Sequence, residues 1–179
     1  ILGIGTATPR QKIQQQHAAL LATNLIGDKA PADRTMQAIY RQTRIAQRSS
    51  VLLEEPHDGV SNQVFFQPAT SADDHGPTTH DRMARYATEA PPLAVAAVEK
   101  ALAKADVTAD EITHLVTCSC TGFQAPGVDI ALMKELGFSS TTSRTHIGFM
   151  GCHGGFNAMR VAKAYAEADR EATVLIVCI

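Results

Sequence analysis

The residues best suited to chemistry in this sequence surround Cys152, in the stretch IGFMGCHGGFN at positions 147–157. A cysteine thiolate is both a strong nucleophile and a metal ligand. Glycines at positions 151, 154 and 155 leave room for a tight turn and for the close approach of another molecule. The stretch therefore has three interpretations, which are a nucleophile, a metal ligand and a small apolar residue in a crowded core.

The position of Cys152 between two patterns favours the nucleophile. Residues 144–149 predict a strand and residues 153–168 predict a helix. The first N–H groups of a helix have no partner within the helix, so they stabilise a negative charge such as a thiolate. The neighbouring His153 would project about 100° away around the helix, so we do not expect it to act as the base.

Metal binding is the main alternative chemistry for this cysteine. Cys118 and Cys120 are two residues apart and would share one face of a strand. With Cys152 and His153 they make a set of side chains that zinc accepts. The sequence has no Cys-x-x-Cys pair, however, and this set would have to converge from separate elements. We therefore expect no metal site.

Strand and helix patterns alternate in the second half of the chain. Strands are predicted at residues 113–119, 144–149 and 173–177, and helices at residues 128–136 and 153–168. Strands that are almost continuously apolar indicate a largely parallel sheet covered by helices on both faces. The sequence therefore predicts an α/β fold with a mostly parallel, mixed sheet.

The first part of the chain has a less regular pattern. Residues 1–8 predict a short strand, and residues 11–24 and 34–48 predict helices separated by breaks at Gly27 and Pro31.

A long excursion on the surface is predicted at residues 49–79, with the strand-like segment NQVFFQ at 62–67. Thr78 or Thr79 can cap the helix that follows. The proline pair at 91–92 then either kinks this helix or starts a second one.

Composition limits the class of protein. The chain has 179 residues, of which 45% are apolar, and its formal net charge is -2, so it lacks the basic character of a nucleic-acid binder. No apolar run reaches the roughly 18 to 20 residues needed to cross a bilayer. The cysteines lack the spacing of a disulfide framework. We expect a soluble, cytoplasmic protein with free thiols.

Both ends of the sequence lie within apolar strand patterns, at Ile1 and at Ile179. A strand that ends in this way needs neighbours that the sequence does not contain. We therefore expect the chain to be a fragment of a longer protein.

Several separated stretches resemble one enzyme family. IGTATP, THLVTCSCTGFQAPGVDIALMKELG, GCHGGFNAMRVAKAYAE and ATVLIVC are similar to the amino-terminal half of type III polyketide synthases, the chalcone-synthase-like branch of the thiolase superfamily. GPTTHDRMARYATEAPPLAVAA resembles the bacterial members. Order and spacing agree over most of residues 78–179, and the match is weak at residues 11–77. The resemblance implies that residues 1–179 are one amino-terminal domain with a thiolase-like half-fold, and that the complete protein is a homodimer.

This resemblance implies that Cys152 takes a starter acyl group from coenzyme A as a thioester, which malonyl-CoA then extends by decarboxylative condensation. In the family, a His and an Asn that complete the site lie in the carboxy-terminal half, so the fragment alone is expected to be inactive. The substrates are coenzyme A thioesters, and no bound cofactor is implied.

Two alternatives to this function remain open. One is another condensing enzyme of the superfamily, of the ketoacyl-carrier-protein synthase or hydroxymethylglutaryl-CoA synthase type. The other is a non-catalytic fragment that binds acyl-CoA or dimerises.

Further site residues follow from the same resemblance. The family's loop after the middle strand lines the cavity and reaches across the dimer interface, which places Cys120, Thr121 and Ala125 near the substrate, with Gly151 beside the nucleophile. Family members often have Thr, Ser and Met at the first three positions, so this chain differs in the size and polarity of its cavity. The alternative for Thr121 is an ordinary turn at the end of a strand.

Coenzyme A meets basic residues in the region of the family that corresponds to residues 35–48. Here Arg41, Arg44 and Arg48 could share one face of a helix and bind phosphates. The alternative is a solvated basic face without a ligand.

Overall fold

The computed structural model describes residues 1–26, 33–55, 61–71 and 73–179. Its contacts divide the chain into two compact units, Thr8–His80 and a larger one made of Ile1–Ala7 and Asp81–Ile179. Within the described residues, no helix is long and apolar enough to span a membrane. The assignment of residues 1–179 to one domain stays a prediction.

The smaller unit begins with two short strands and two helices. β1 (Lys12–Gln14) pairs antiparallel with β2 (Gln47–Ser49). α1 (Gln15–Ile26) and α2 (Asp33–Gln42) lie between these strands in the sequence. The predicted break at Gly27 and Pro31 lies outside the described residues.

The helix predicted at residues 34–48 is shorter than expected. α2 ends at Gln42, and Arg44 follows it with a φ of 55°, a left-handed conformation that does not continue a helix. Gln15 secures the connection, because its amide group donates to the carbonyl of Tyr40 at 2.8 Å and accepts from Arg48 Nε at 2.8 Å. Residues 47–49 therefore form a strand instead of the end of a helix.

The predicted excursion contains neither helix nor strand at residues 50–55, 61–71 and 73–78. The prediction of a strand at residues 62–67 is wrong, because Gln63 closes a turn there with two hydrogen bonds to the backbone of Phe66, at 2.7 and 2.8 Å. Asp74 accepts hydrogen bonds from the backbone N–H groups of Thr70 and Gly76, and these bonds lower the pKa of Asp74. The side chains of Gln63 and Asp74 thus form hydrogen bonds with backbone groups of this segment in place of a strand partner.

The larger unit contains a long helix, α3 (Thr79–Ala105), which runs through both Pro91 and Pro92. The strand predicted at residues 1–8 is not formed. A Cβ on Gly5 would lie 2.0 Å from the carbonyl oxygen of Ala97, so glycine alone allows this extended segment to lie against the helix. Lys100 and Lys104 donate to carbonyl oxygens of the same segment at 3.1 and 3.0 Å.

A parallel sheet forms the centre of the larger unit. β3 (His114–Ser119) lies between β4 (Ser143–Gly148) and β5 (Val174–Cys178), and it pairs in parallel with both. The helices that connect these strands are α4 (Val128–Leu136) and α5 (Gly154–Ala168). The predicted α/β fold with a parallel sheet is confirmed, and each of these elements lies within one residue of its predicted bounds.

Helices cover both faces of β3. Leu115 packs with Val98 of α3 and Leu132 of α4, whereas Val116 packs with Ala158 of α5 on the opposite face. Leu115, Val116 and Leu132 are fully buried. Because neighbouring residues of β3 point to opposite faces and both faces are buried, this alternation fixes the register of β3 in the sheet.

Replacing Leu132 with alanine tests this packing. We expect a loss of about 2–5 kcal/mol in the free energy of unfolding, because the side chain is fully buried and leaves a cavity. Ile130 lies on the same helix with 37% of its surface exposed, so Ile130→Ala should cost less than about 1 kcal/mol. Urea unfolding measures both variants, and equal losses would contradict the assignment of the core.

Candidate active site

Cys152 lies in a sharp turn between β4 and α5. A short 3₁₀ turn, Gly151–His153, follows the strand, and α5 starts directly after it at Gly154. Phe149 and Gly151 have φ angles of 59° and 56°. A left-handed conformation is costly for a bulky residue such as Phe149, and strain of this kind concentrates at functional sites.

The thiol of Cys152 is exposed at this turn. This exposure argues against the interpretation of Cys152 as a core residue. Cys152 stands two residues before the 15-residue helix α5, whose first N–H group, that of Gly154, donates to the carbonyl of Gly151. The predicted arrangement of strand, turn, cysteine and helix is therefore present.

A second thiol, that of Cys118, lies beneath the start of α5. A Cβ on Gly154 would stand 2.5 Å from Cys118 Sγ, so only glycine lets the helix begin at this height above the sheet. Burial raises the pKa of Cys118, and the neighbouring thiol of Cys178 raises it further. Cys118 is therefore protonated at neutral pH and unsuited to nucleophilic attack.

The cysteines do not assemble into a metal site. Cys120 is exposed in the bend after β3, whereas Cys118 is buried within the strand. In the part of the chain that the structure describes, no three His, Cys, Asp or Glu side chains come together to hold a metal ion.

The loop after β3 lies beside the cysteine turn. Ser119 stands opposite Gly148 in the parallel register, and its carbonyl accepts the backbone N–H of Phe149 at 3.2 Å. The rings of Phe123 and Phe149 are in contact, with 5.7 Å between their centroids. This loop carries the predicted site residues Cys120, Thr121 and Ala125, all of them exposed.

Large apolar side chains are exposed on the loop after β3, in the turn with Cys152 and on α5. They are Phe123, Phe149, Met150, Phe156 and Met159. An exposed apolar surface of this kind marks an interaction or ligand-binding area.

Two residues of this region, Tyr86 and Ser119, were not identified as site residues from the sequence. Tyr86, on α3, donates its hydroxyl hydrogen to Ser119 Oγ at 2.9 Å. The two residues are 33 positions apart, so no spacing pattern joins them. In the sequence, Gly122 alone indicated such a contact, because a glycine after an apolar strand often marks the close approach of another group. Here the group that approaches Gly122 is the ring of Tyr86.

The prediction that Arg41, Arg44 and Arg48 share one helix face is wrong. Arg41 is in the last turn of α2, Arg44 follows the helix, and Arg48 belongs to β2. The guanidinium of Arg48 lies 5.3 Å from the centre of the Tyr40 ring. Contact of these three arginines with coenzyme A stays a prediction, although they do not share one face of a helix.

Comparison with known proteins agrees with this geometry. The family "Chalcone and stilbene synthases, N-terminal domain" matches residues 1–179. The chain belongs to this family. The predicted resemblance to the amino-terminal half of type III polyketide synthases and the predicted thiolase-like α/β fold are thereby confirmed.

Relatives and solved structures of polyketide synthases match the whole chain. The "Alpha-pyrone synthesis polyketide synthase-like Pks18" of Mycobacterium tuberculosis is 37% identical over 179 residues. The structure of "a fungal type III polyketide synthase, ORAS" has a TM-score of 0.79 at 28% identity, over 99% of this chain and 45% of that one. The type III domain of "Steely1" from Dictyostelium has a TM-score of 0.79 at 27% identity, over 99% of this chain and 46% of that domain. The alignment with Pks18 includes the whole of this chain but only 43% of Pks18, so the chain spans less than half the length of this relative.

Replacing Gly154 with alanine tests the close approach of α5 to Cys118. We expect Gly154→Ala to cost about 1–3 kcal/mol in unfolding free energy, because the added methyl group overlaps the sulfur. Gly155→Ala is the matched control, since its nearest contact is 3.8 Å away, and it should be neutral or stabilising.

The double variant Gly154→Ala/Cys118→Ala sharpens this test. Removing the sulfur should relieve the overlap, so a double-mutant cycle in urea should give a favourable coupling of about 1 kcal/mol or more. Additive losses would contradict the contact between Gly154 and Cys118.

The two thiols should also differ in chemical reactivity. Brief treatment with iodoacetamide at pH 7 should alkylate Cys152 much faster than Cys118, because Cys118 is buried and its pKa is raised. Peptide mass spectrometry measures both rates. Equal rates in the folded protein would contradict the burial of Cys118.

Proposed function

We propose that this chain supplies the acyl-accepting cysteine of a type III polyketide synthase. The observation that carries the proposal is the exposed Cys152 in a strained turn at the start of α5, in a chain that matches the chalcone and stilbene synthase family over its whole length. The family match favours this enzyme over a ketoacyl-carrier-protein synthase or a hydroxymethylglutaryl-CoA synthase.

In the first step, the Cys152 thiolate attacks the carbonyl carbon of a starter acyl-CoA. A new carbon–sulfur bond forms to Cys152, the bond to coenzyme A breaks, and the released thiolate takes up a proton. The covalent intermediate divides one difficult reaction into two easier ones.

In the second step, malonyl-CoA loses CO₂, and the carbanion that remains attacks the thioester on Cys152. A carbon–carbon bond forms, the Cys152 thiolate leaves, and the product is a 3-oxoacyl-CoA that is two carbons longer. The groups that stabilise the carbonyl oxygen are a His and an Asn of the carboxy-terminal half, so the proposal assigns negligible turnover to residues 1–179 alone.

Four residues are proposed to contact the acyl group, namely Cys120, Thr121, Ala125 and Gly151. The three on the loop after β3 are exposed and small, and the adjacent rings of Phe123 and Phe149 supply an apolar wall. We infer substrates of the acyl-CoA and malonyl-CoA class without a bound cofactor, and a complete protein that is a cytoplasmic homodimer.

Covalent loading tests this function. The protein joined to its carboxy-terminal half should incorporate radiolabel from a starter acyl-CoA and then release CO₂ from malonyl-CoA. Cys152→Ala should abolish the incorporation of label, because the proposal assigns the thioester to this thiol. Cys178→Ala is the control, since this cysteine is also exposed and the proposal gives it no contact with the acyl group, so its loss should leave loading intact. Label that persists in Cys152→Ala would overturn the assignment.

A further inference from the structure

Ser119 connects three parts of the larger unit. It is the last residue of β3, and only 3% of its surface is exposed. Its hydroxyl accepts a hydrogen bond from Tyr86 on α3 at 2.9 Å, and its carbonyl accepts the N–H of Phe149 at 3.2 Å. Phe149 stands three residues before Cys152. The position of Ser119 is therefore transmitted to the cysteine turn through one backbone hydrogen bond.

The ring of Tyr86 also packs on the loop after β3. A Cβ on Gly122 would lie 2.3, 2.5 and 2.7 Å from three carbons of this ring, so the backbone of Gly122 is pressed against it. One turn earlier on the same face of α3, Met83 Sδ accepts the N–H of Phe123 at 3.2 Å. α3 thus contacts the loop at Ser119, Gly122 and Phe123.

Cys120 and Thr121 lie between the two residues that Tyr86 contacts. Ser119 precedes them and is held by the hydroxyl of Tyr86, and Gly122 follows them and is held by its ring. The turn with Cys152 is joined to the same loop by the Ser119 carbonyl and by the ring contact of Phe123 with Phe149. The spacing between the loop and Cys152 therefore depends on where Tyr86 holds the loop.

We propose that Tyr86 is a positioning residue for acyl transfer to Cys152. It acts through Ser119 and Gly122, and it sets the distance between the loop that contacts the acyl group and the attacking sulfur. The inference rests on the proposed function, in which Cys152 accepts an acyl group. Small displacements have large effects on such a reaction, since a misplacement of about 1 Å can cost on the order of 100-fold in rate.

Tyr86→Phe is the main test, because it removes the hydroxyl and keeps the ring. The protein joined to its carboxy-terminal half is mixed with radiolabelled acetyl-CoA, hexanoyl-CoA or dodecanoyl-CoA, and the rate of labelling is followed within one turnover. We expect the labelling rate at saturation to fall about 10-fold, with little change in the half-saturating concentration. Rates are divided by the amount of Cys152 that iodoacetamide can alkylate, so that loss of folded protein does not count.

Tyr165→Phe is the matched control. The hydroxyl of Tyr165 shares a hydrogen bond of 2.8 Å with Thr145 on β4, so this variant loses a comparable bond within the same unit. It should lower the melting temperature without changing the labelling rate. Alkylation of Cys152 by iodoacetamide should stay within about twofold of the unmodified protein in both variants, because this small reagent needs no contact with the loop.

Ser119→Ala and the double variant Tyr86→Phe/Ser119→Ala test the route. Because both changes remove the same hydrogen bond, the double variant should be labelled about as fast as Tyr86→Phe alone. If the fall in labelling rate of the double variant equals the product of the falls in the two single variants, Tyr86 does not act through Ser119. A labelling rate of Tyr86→Phe equal to that of Tyr165→Phe, or a parallel fall in alkylation, would overturn the positioning role. If the unmodified protein takes no label, the proposed function fails and the inference falls with it.

Discussion

The parallel pairing of β3 with β4 is the constraint on which the site depends. It places Ser119 opposite Gly148, so both strands end at the same level of the sheet, and the N–H of Phe149 then bonds to the Ser119 carbonyl. The loop after β3 and the turn with Cys152 consequently emerge side by side. Burial of Leu115 on one face and Val116 on the other fixes this register, since a slip by one residue would exchange the two faces.

Much of this half of the fold could be predicted from the sequence because its signals are local. α4 matches its predicted bounds, since Gly127 precedes it and Gly137 ends it with a φ of 69°, a conformation that glycine adopts freely. β3 was recognisable from its largely apolar run, and all of its residues except His114 are buried. The turn with Cys152 combined a strand end, a helix start and glycines, so its geometry could be foreseen.

Elements that depend on distant contacts could not be predicted. β1 and β2 have three residues each, and they exist as strands because they pair with each other although they are far apart in the sequence, as Lys12 does with Ser49 or Gln14 with Gln47. Residues 1–8 were predicted as a strand, but the glycines at positions 3 and 5 instead allow contact with α3. Tyr86 was missed for the same reason, because its role is visible only when α3 and the end of β3 are brought together.

The central claim is that Cys152, and no other thiol of this chain, accepts the acyl group. Peptide mass spectrometry of the protein with its carboxy-terminal half, quenched in acid after exposure to acyl-CoA, tests it most directly. The account predicts the mass of the acyl group on the peptide that contains Cys152, with Cys118 and Cys120 unmodified. An acyl group on Cys120, with Cys152 free, would contradict it.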